Sequence, residues 1–313
     1  MRVVITGGAG FIGHHLALFM KNLGHEVAVY DSLERASEYG VKRIREAGIK
    51  LVKGDIGDKN RIKWAFREIG ADGLVHAAAY IDVVESTKKP ELYLENNTVK
   101  SYTVFEAAAE GGVEYGVYIS SAAVYGEPRY IPIDEKHPTE PLSPYGLSKL
   151  MGEYVARFVS KIYGMPTAIM RLFNVYGPGQ TGAYAGVISK FIERVVRGEP
   201  PIIFGDGEQT RDFIHILDVC RAINLALEAK AEGVFNVATG KSVSIKKLAE
   251  IIIKEAGVSL SPVYMSKRPG DIKHSLADIS KIKTVLGFTP QIDVKDGIKE
   301  LVKEALSKKS SVS

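Results

Sequence analysis

Through the first half of the chain, short β-branched and aliphatic runs alternate with longer stretches of helical periodicity. Val3–Thr6, Glu26–Asp31, Lys50–Lys53, Gly73–His76, Gly116–Ser120 and Thr167–Leu172 read as strands. Between them, helices are expected at Phe11–Leu23, Lys59–Ile69, Pro90–Glu110 and Pro144–Tyr163. Strands separated by helices imply parallel pairing with crossovers on both faces. The expected fold is therefore α/β, a doubly wound parallel (Rossmann) sheet with its ligand at the carboxyl ends of the strands.

Beyond about residue 175 the alternation loosens. A helix over Gly186–Arg197, a strand at Ile202–Phe204, a helix at Leu217–Glu228 and a strand at Val234–Val237 are expected, then small helices around a strand at Pro262–Met265. This pattern divides the chain into a first domain of residues 1–174 and 209–240, and a smaller, discontinuous C-terminal α/β domain of 175–208 and 241–313 over the mouth of the sheet.

Composition narrows the function without naming it. The 313 residues are 45% apolar and 25% charged, ordinary for a folded protein that needs no staple. A net charge of +4, spread along the chain, suits a small anionic ligand and argues against nucleic acid. The single cysteine, Cys220, excludes a disulfide framework and a cysteine-rich zinc site, and no metal is expected. No apolar run reaches the ~18 residues of a membrane span. The few apolar residues after Arg2 are too short for a signal core, so a cytoplasmic location is expected.

Residues 7–13, Gly-Gly-Ala-Gly-Phe-Ile-Gly, follow the first strand and open the first helix. Glycines let the backbone approach a pyrophosphate, and the helix N-terminus supplies N–H donors. A structural tight turn would use the same residues. Gly7, Gly10, Phe11, Ile12 and Gly13 are candidate cofactor contacts. Asp31 closes the second strand 21 residues after Gly10, beside Ser32, where a carboxylate accepts both ribose hydroxyls and repels a 2′-phosphate. NAD is thereby favoured over NADP, with the cation of Arg35 pulling the other way. Asp55 and Ile56, after the third strand, could flank the adenine or form a turn. Ala77, Ala78 and Ala79, after the fourth, could let backbone lie near the cofactor or simply pack closely.

Tyr145 and Lys149 stand at i, i+4 on a helix that Ser143 caps and Pro144 opens. Among 15 tyrosines and 41 basic residues roughly two such pairs are expected by chance, so the spacing alone is weak. The pair points away from a stripe of Leu147, Leu150, Met151, Tyr154, Val155, Phe158, Val159 and Ile162. An ammonium one turn from a phenol lowers its pKa. Ser121, at the end of the fifth strand, either bonds a reacting oxygen or caps the strand.

Together, Gly-x-x-Gly-x-x-Gly, Ser121 with Tyr145-x-x-x-Lys149, Arg171-Leu-Phe-Asn174-Val-Tyr-Gly-Pro, Gly205-Asp-Gly-Glu-Gln-Thr-Arg211 and Arg268-Pro-Gly-Asp271 resemble the extended short-chain dehydrogenase/reductases that act on nucleotide sugars, in particular their NAD-dependent epimerases. The resemblance spans essentially the whole chain. It implies C4 epimerisation of UDP-hexoses through a 4-keto sugar, with NAD regenerated each turnover. It makes Tyr145 the base, Lys149 its partner and a nicotinamide-ribose ligand, and Ser121 the donor to the 4-oxygen. It adds Asn97 to the cofactor set. Asn174, Arg211 and Arg268 would hold the diphosphate, Asp271 the uridine ribose, and Val187 and Phe204 the uracil. Ala122 and Ala123 stand where the family's dehydratases carry Asp-Glu, which argues against elimination because alanine moves no proton. Ile81 departs from a cofactor-contacting Lys of well-known epimerases. Ser275, at a gate near the sugar C2 group, leaves room for N-acetylated sugars.

Other nucleotide sugars, such as UDP-glucuronate or a UDP-N-acetylhexosamine, stay open as substrates. So does a non-catalytic NAD-binding regulator on the same fold, although binding alone needs no phenol–ammonium pair. The wide stripe of Pro144–Tyr163, with Pro90–Glu110, suggests an intersubunit helix bundle and a homodimer.

Overall fold

The computed structural model describes residues 1–180, 185–267 and 272–310. The chain runs β1 (Arg2–Thr6), α1 (Phe11–Asn22), β2 (Glu26–Asp31), α2 (Glu38–Glu46), β3 (Lys50–Lys53), α3 (Lys59–Ile69) and β4 (Gly73–His76). There follow α4 (Val83–Lys88), α5 (Pro90–Leu94), a π turn over Glu95–Val99, α6 (Lys100–Glu110), β5 (Tyr115–Ser121), α7 (Pro144–Tyr163) and β6 (Thr167–Leu172). The later elements are β7 (Asn174–Tyr176), α8 (Val187–Val196), β8 (Ile202–Phe204), β9 (Thr210–His215), α9 (Ile216–Ala229) and β10 (Gly233–Val237). The last are β11 (Ser242–Ser244), α10 (Ile245–Glu255), β12 (Val263–Met265), α11 (Ser280–Leu286) and α12 (Val294–Ser310).

Seven strands form one parallel sheet in the order β10-β6-β5-β4-β1-β2-β3. The expected doubly wound sheet is what the chain builds. Period-two alternation decides its faces: Val3, Ile5, Val27 and Val29 turn to a core shared with α1 and α9, while Val4, Tyr30 and Leu74 turn to α3, α6 and α7. The strand order reverses between β1 and β4, which opens a crevice at their carboxyl ends. A third core joins α8, α10 and α12 to β8 and β9 through Phe191, Ile203, Leu248 and Ile298. Two small sheets, β11-β9-β7 and β12-β8, border it.

Several elements differ from the sequence reading: α4, β7 and β11 are not among those expected, and α12 is longer than the small helices expected there. The continuous helix expected over Pro90–Glu110 is interrupted by the π turn at Glu95–Val99. Helix α2, capped by the Ser37 hydroxyl, buries only Gly40 and Ile44, too little to give a periodic signal. Strand β9, not among the expected strands, hides a buried Asp212, whose carboxylate accepts from Thr239, Gly240 and Ala277. Cys220 is buried in α9, where burial pushes its thiol pKa well up, consistent with a packing role. Among the described residues no helix is long and apolar enough to cross a membrane.

Candidate active site

The turn after β1 is built around Gly7, whose φ of +67° is the left-handed region. A Cβ there would lie 2.5 Å from the Ala78 Cα and N, so the segment after β4 passes directly against the turn. At Gly13 a Cβ would overlap the Gly7 carbonyl, and α1 therefore seats on the turn itself. Gly10 is the N-cap of α1 and places no side chain over its first N–H groups. The crevice so formed is lined by Gly7, Gly10, Phe11, Ile12, Gly13, Asp31, Ser32, Asp55, Ile56, Ala77, Ala78 and Ala79, and also by Glu34, Arg35, Ala36, Tyr80, Ile81 and Asn96. The sequence motifs thus converge on one groove.

Asp31, 8% exposed, is held by the Ala9 and Leu33 amides at 2.9 and 2.8 Å. Burial pushes its carboxyl pKa up, and those two amides oppose the shift. Asp55 is about half exposed, and hydrogen bonds from Lys100 at 2.9 Å and from the Gly57 amide at 2.7 Å outweigh its desolvation and lower its pKa. Asn97 stands behind the wall rather than on it. Its carboxamide accepts from the Tyr80 N–H at 2.8 Å and donates to the Tyr80 carbonyl at 2.9 Å and the Ser148 hydroxyl at 3.0 Å.

Ser121 ends β5, and its hydroxyl accepts from the Ala123 N–H at 3.1 Å to cap a short 3₁₀ turn over Ala122–Val124. Helix α7 starts beneath it: Ser143 accepts from the Gly146 N–H, Pro144 fills the first helical position, and Gly164 closes the far end. Tyr145 stands in the first turn of α7. Burial raises its phenol pKa, and the side chain of Ser121 pulls it back down. Lys149 is 3% exposed, with its ammonium 4.3 Å from the centroid of the Tyr118 ring. Burial lowers its pKa to about 7, against the raising influence of Glu153. Burial is the largest influence on both groups, and Ser121 is a further neighbour that lowers the phenol pKa.

Sequence reasoning overlooked the supports of this pair. His76, at the end of β4, bonds Thr6 at 2.6 Å and Ser101 at 2.8 Å, and burial beside Lys149 lowers its pKa to about 3. It is a neutral strut. Glu153, one turn after Lys149, takes two hydrogen bonds from Arg171 and one from Ser120. The i+4 spacing of Tyr145, Lys149 and Glu153 was the available signal.

Most of the apolar stripe of α7 does not face the sheet, Val159 being its fully buried exception. Its buried side is Lys149, Gly152, Glu153, Ala156 and Val159, and a Cβ on Gly152 would overlap the Tyr118 hydroxyl. Leu147, Met151, Tyr154, Phe158 and Ile162 are exposed, Tyr154 and Ile162 by 61% each. Small and polar residues bring the helix close to β5, and the large apolar ones are left outside.

The residues expected to hold the rest of a substrate lie on the later elements. Asn174 opens β7 and donates to the Asp212 carbonyl at 3.1 Å. Val187 opens α8, and Phe204 ends β8 opposite Met265. Arg211 on β9 donates to the Thr210 carbonyl at 2.8 Å. Ser275, 3% exposed, donates its N–H to that same carbonyl at 3.1 Å. Arg268 and Asp271 lie outside the described residues.

A glycine turn that opens α1, with a crevice at the strand carboxyl ends and Asp31 closing β2, defines a Rossmann-type dinucleotide-binding enzyme. The chain belongs to the NAD-dependent epimerase/dehydratase family, whose sequence model matches residues 3–238. It is 35% identical over 324 residues to a UDP-glucose 4-epimerase of Azospirillum brasilense, covering 98% of this chain and 91% of that protein. The structure of a UDP-glucose 4-epimerase from Thermotoga maritima with UDP-glucose superposes with a TM-score of 0.91 at 32% identity, covering 99% of this chain and 100% of that one. A UDP-N-acetylglucosamine 4-epimerase from Methanobrevibacter ruminantium, in complex with UDP-N-acetylmuramic acid, gives 0.91 at 35% identity, with 98% of each chain covered.

Proposed function

We propose that this chain interconverts the C4 epimers of a UDP-hexose, UDP-galactose and UDP-glucose, with NAD held in the β1–β4 crevice. The crevice fits a dinucleotide: Gly7 cannot accept a Cβ, the α1 N-terminus is open, and the Asp31 carboxylate is fixed by two amides. NAD supplies the capacity to accept hydride from C4 and give it back. The protein's own work is at the oxygen. Tyr145 takes the proton of the 4-hydroxyl and returns it, Ser121 donates to the 4-oxygen, and Lys149 supplies positive charge in a dry pocket. Asn174, Arg211 and Arg268 would orient the diphosphate, Asp271 the uridine ribose, and Val187 and Phe204 the uracil.

The observation that carries this reading is Tyr145 one turn before buried Lys149 on α7, with Ser121 acting on the phenol and Ala122 and Ala123 following Ser121. Oxidation at C4 is provided for, and a proton donor for eliminating water is not. Proton NMR of UDP-galactose with the purified protein and no added NAD should show UDP-glucose growing in. No conversion, even with NAD supplied, rejects this substrate pair.

Ser275 favours a second substrate class. By the family resemblance Ser275 stands at a gate near the sugar C2 group, where a small side chain leaves room for an N-acetyl group, so UDP-N-acetylglucosamine should turn over as well, and Ser275→Tyr should abolish that activity while sparing UDP-glucose. Equal loss of both activities in Ser275→Tyr rejects the gate. We also propose that the exposed face of α7 pairs with a second copy. Light scattering at micromolar concentration should give twice the 34.1 kDa chain mass. The division into a NAD-binding domain (1–174, 209–240) and a sugar-binding domain (175–208, 241–313) belongs to the same proposal.

A further inference from the structure

At the mouth of the dinucleotide groove, side chains cross from the loop after β2 to the first turn of α4. Arg35 donates from Nη1 to Glu85 Oε2 at 2.6 Å and from Nη2 to Oε1 at 3.1 Å. Its guanidinium lies 3.7 Å over the centroid of the Tyr80 ring, and the Tyr80 hydroxyl donates to Glu34 at 3.1 Å. Glu85 is itself fixed, by the Tyr93 hydroxyl at 3.0 Å and by its own N–H donating to Asp82 at 2.7 Å. A bidentate fork that also stacks on an aromatic ring is the strong, geometrically specific kind of ion pair.

NAD and NADP differ by one phosphate on the adenosine ribose, and the end of β2 is where this fold tells them apart. A carboxylate there favours the free hydroxyls, and a nearby arginine accommodates the phosphate. This chain carries both, Asp31 and Arg35 four residues on, and both line the groove. Discrimination therefore turns on what the guanidinium is doing. We propose that Glu85 determines dinucleotide specificity, engaging both terminal nitrogens of Arg35 across the groove mouth so that the cation is not offered to a 2′-phosphate. The inference rests on the groove being a dinucleotide site and not on which sugar is turned over, so the two can fail separately.

Binding of NAD and of NADP to the full chain, stripped of retained cofactor, is measured by titration calorimetry. In Glu85→Gln the ratio of the NADP to the NAD dissociation constant should fall at least about tenfold, because Arg35 becomes able to pair with the phosphate. In Glu85→Gln/Arg35→Met the ratio should return to the wild-type value or exceed it. Arg35→Met alone should leave it within about threefold of wild type, since the guanidinium is already engaged. An unchanged ratio in Glu85→Gln overturns the proposal, as does a fall that survives removal of Arg35. Loss of both dinucleotides in Glu85→Gln overturns it too, by making the pair a support of the groove wall. Should Glu85→Gln not fold, a loss of NADP binding of about tenfold in Arg35→Met overturns it equally, by showing the guanidinium already on the phosphate.

Discussion

Glu153→Gln keeps the size of the side chain and removes its charge. The carboxylate it replaces is 2% exposed and the Arg171 guanidinium 4%, and they are joined by bonds of 2.9 and 2.7 Å. Ser120 adds a third hydrogen bond at 2.5 Å, and Arg171 lies 4.7 Å over the Tyr125 ring. With a neutral amide in place, one arm of the fork meets an NH₂ group, and the cation is left buried without a counter-charge. Breaking one side of such a pair costs about 3–5 kcal/mol, a large share of the roughly 5–15 kcal/mol that holds a native chain together. Urea unfolding at pH 7.5, followed by circular dichroism, should register that loss. Glu153→Leu/Arg171→Met, which fills the volume with apolar groups, should recover most of it, because the pair's mutual attraction barely exceeds its own desolvation. There is also a local consequence. Glu153 raises the pKa of Lys149, so in Glu153→Gln that pKa should move below its present value of about 7. A Glu153→Gln protein within about 1 kcal/mol of wild type, or a double variant no more stable than the single one, would refute the reasoning.

Tyr145→Phe should lower turnover by about 10²–10⁴ while dinucleotide affinity holds, and surviving turnover would remove Tyr145 from proton transfer. Gly13→Ala should push α1 off its turn, weaken NAD binding about tenfold or more and destabilise the fold by roughly 1–3 kcal/mol; calorimetric titration beside urea unfolding would check both. His14, His76 and His215 are buried, and burial lowers their pKa values to about 4, about 3 and about 4 from 6.5. The unfolded chain binds protons near pH 6.5 that the folded chain refuses until near pH 4. Stability is thus complete above 6.5 and lost as pH falls through that window, by about 3 kcal/mol for one such histidine. A melting temperature unchanged from pH 7 to pH 5 would contradict this.

The sheet was legible because most of its strands are buried on both faces, and four of them, Glu26–Asp31, Lys50–Lys53, Gly73–His76 and Thr167–Leu172, have the bounds their sequence pattern predicts. The groove was legible because Gly7, Gly13 and Asp31 are each required by a local contact. What stayed hidden depended on distant partners. Asp212 is buried at no exposure only because residues 239, 240 and 277 return to it, and no local pattern announces that. The π turn is invisible because the buried positions through Tyr93, Asn97, Ser101 and Val104 keep their helical spacing across it. Periodicity revealed that α7 has an apolar face but not which way it turns. The cue was Gly152, a glycine inside a helix where only close approach to another element justifies one.

Asn97 ties two parts of the molecule together through one side chain. One carboxamide holds the backbone of Tyr80, on the cofactor groove, and the hydroxyl of Ser148, next to Lys149 on α7. A bound cofactor that shifts Tyr80 is therefore expected to shift the seating of α7 as well, and such a linkage is reciprocal. Whatever free energy a filled groove lends to the position of α7, a shift of α7 returns to cofactor affinity in equal measure. The outer side of that helix is the exposed apolar face. A chain docking there would act on a helix whose inner side is already tied to the groove, and its effect could be read as a change in dinucleotide affinity with protein concentration.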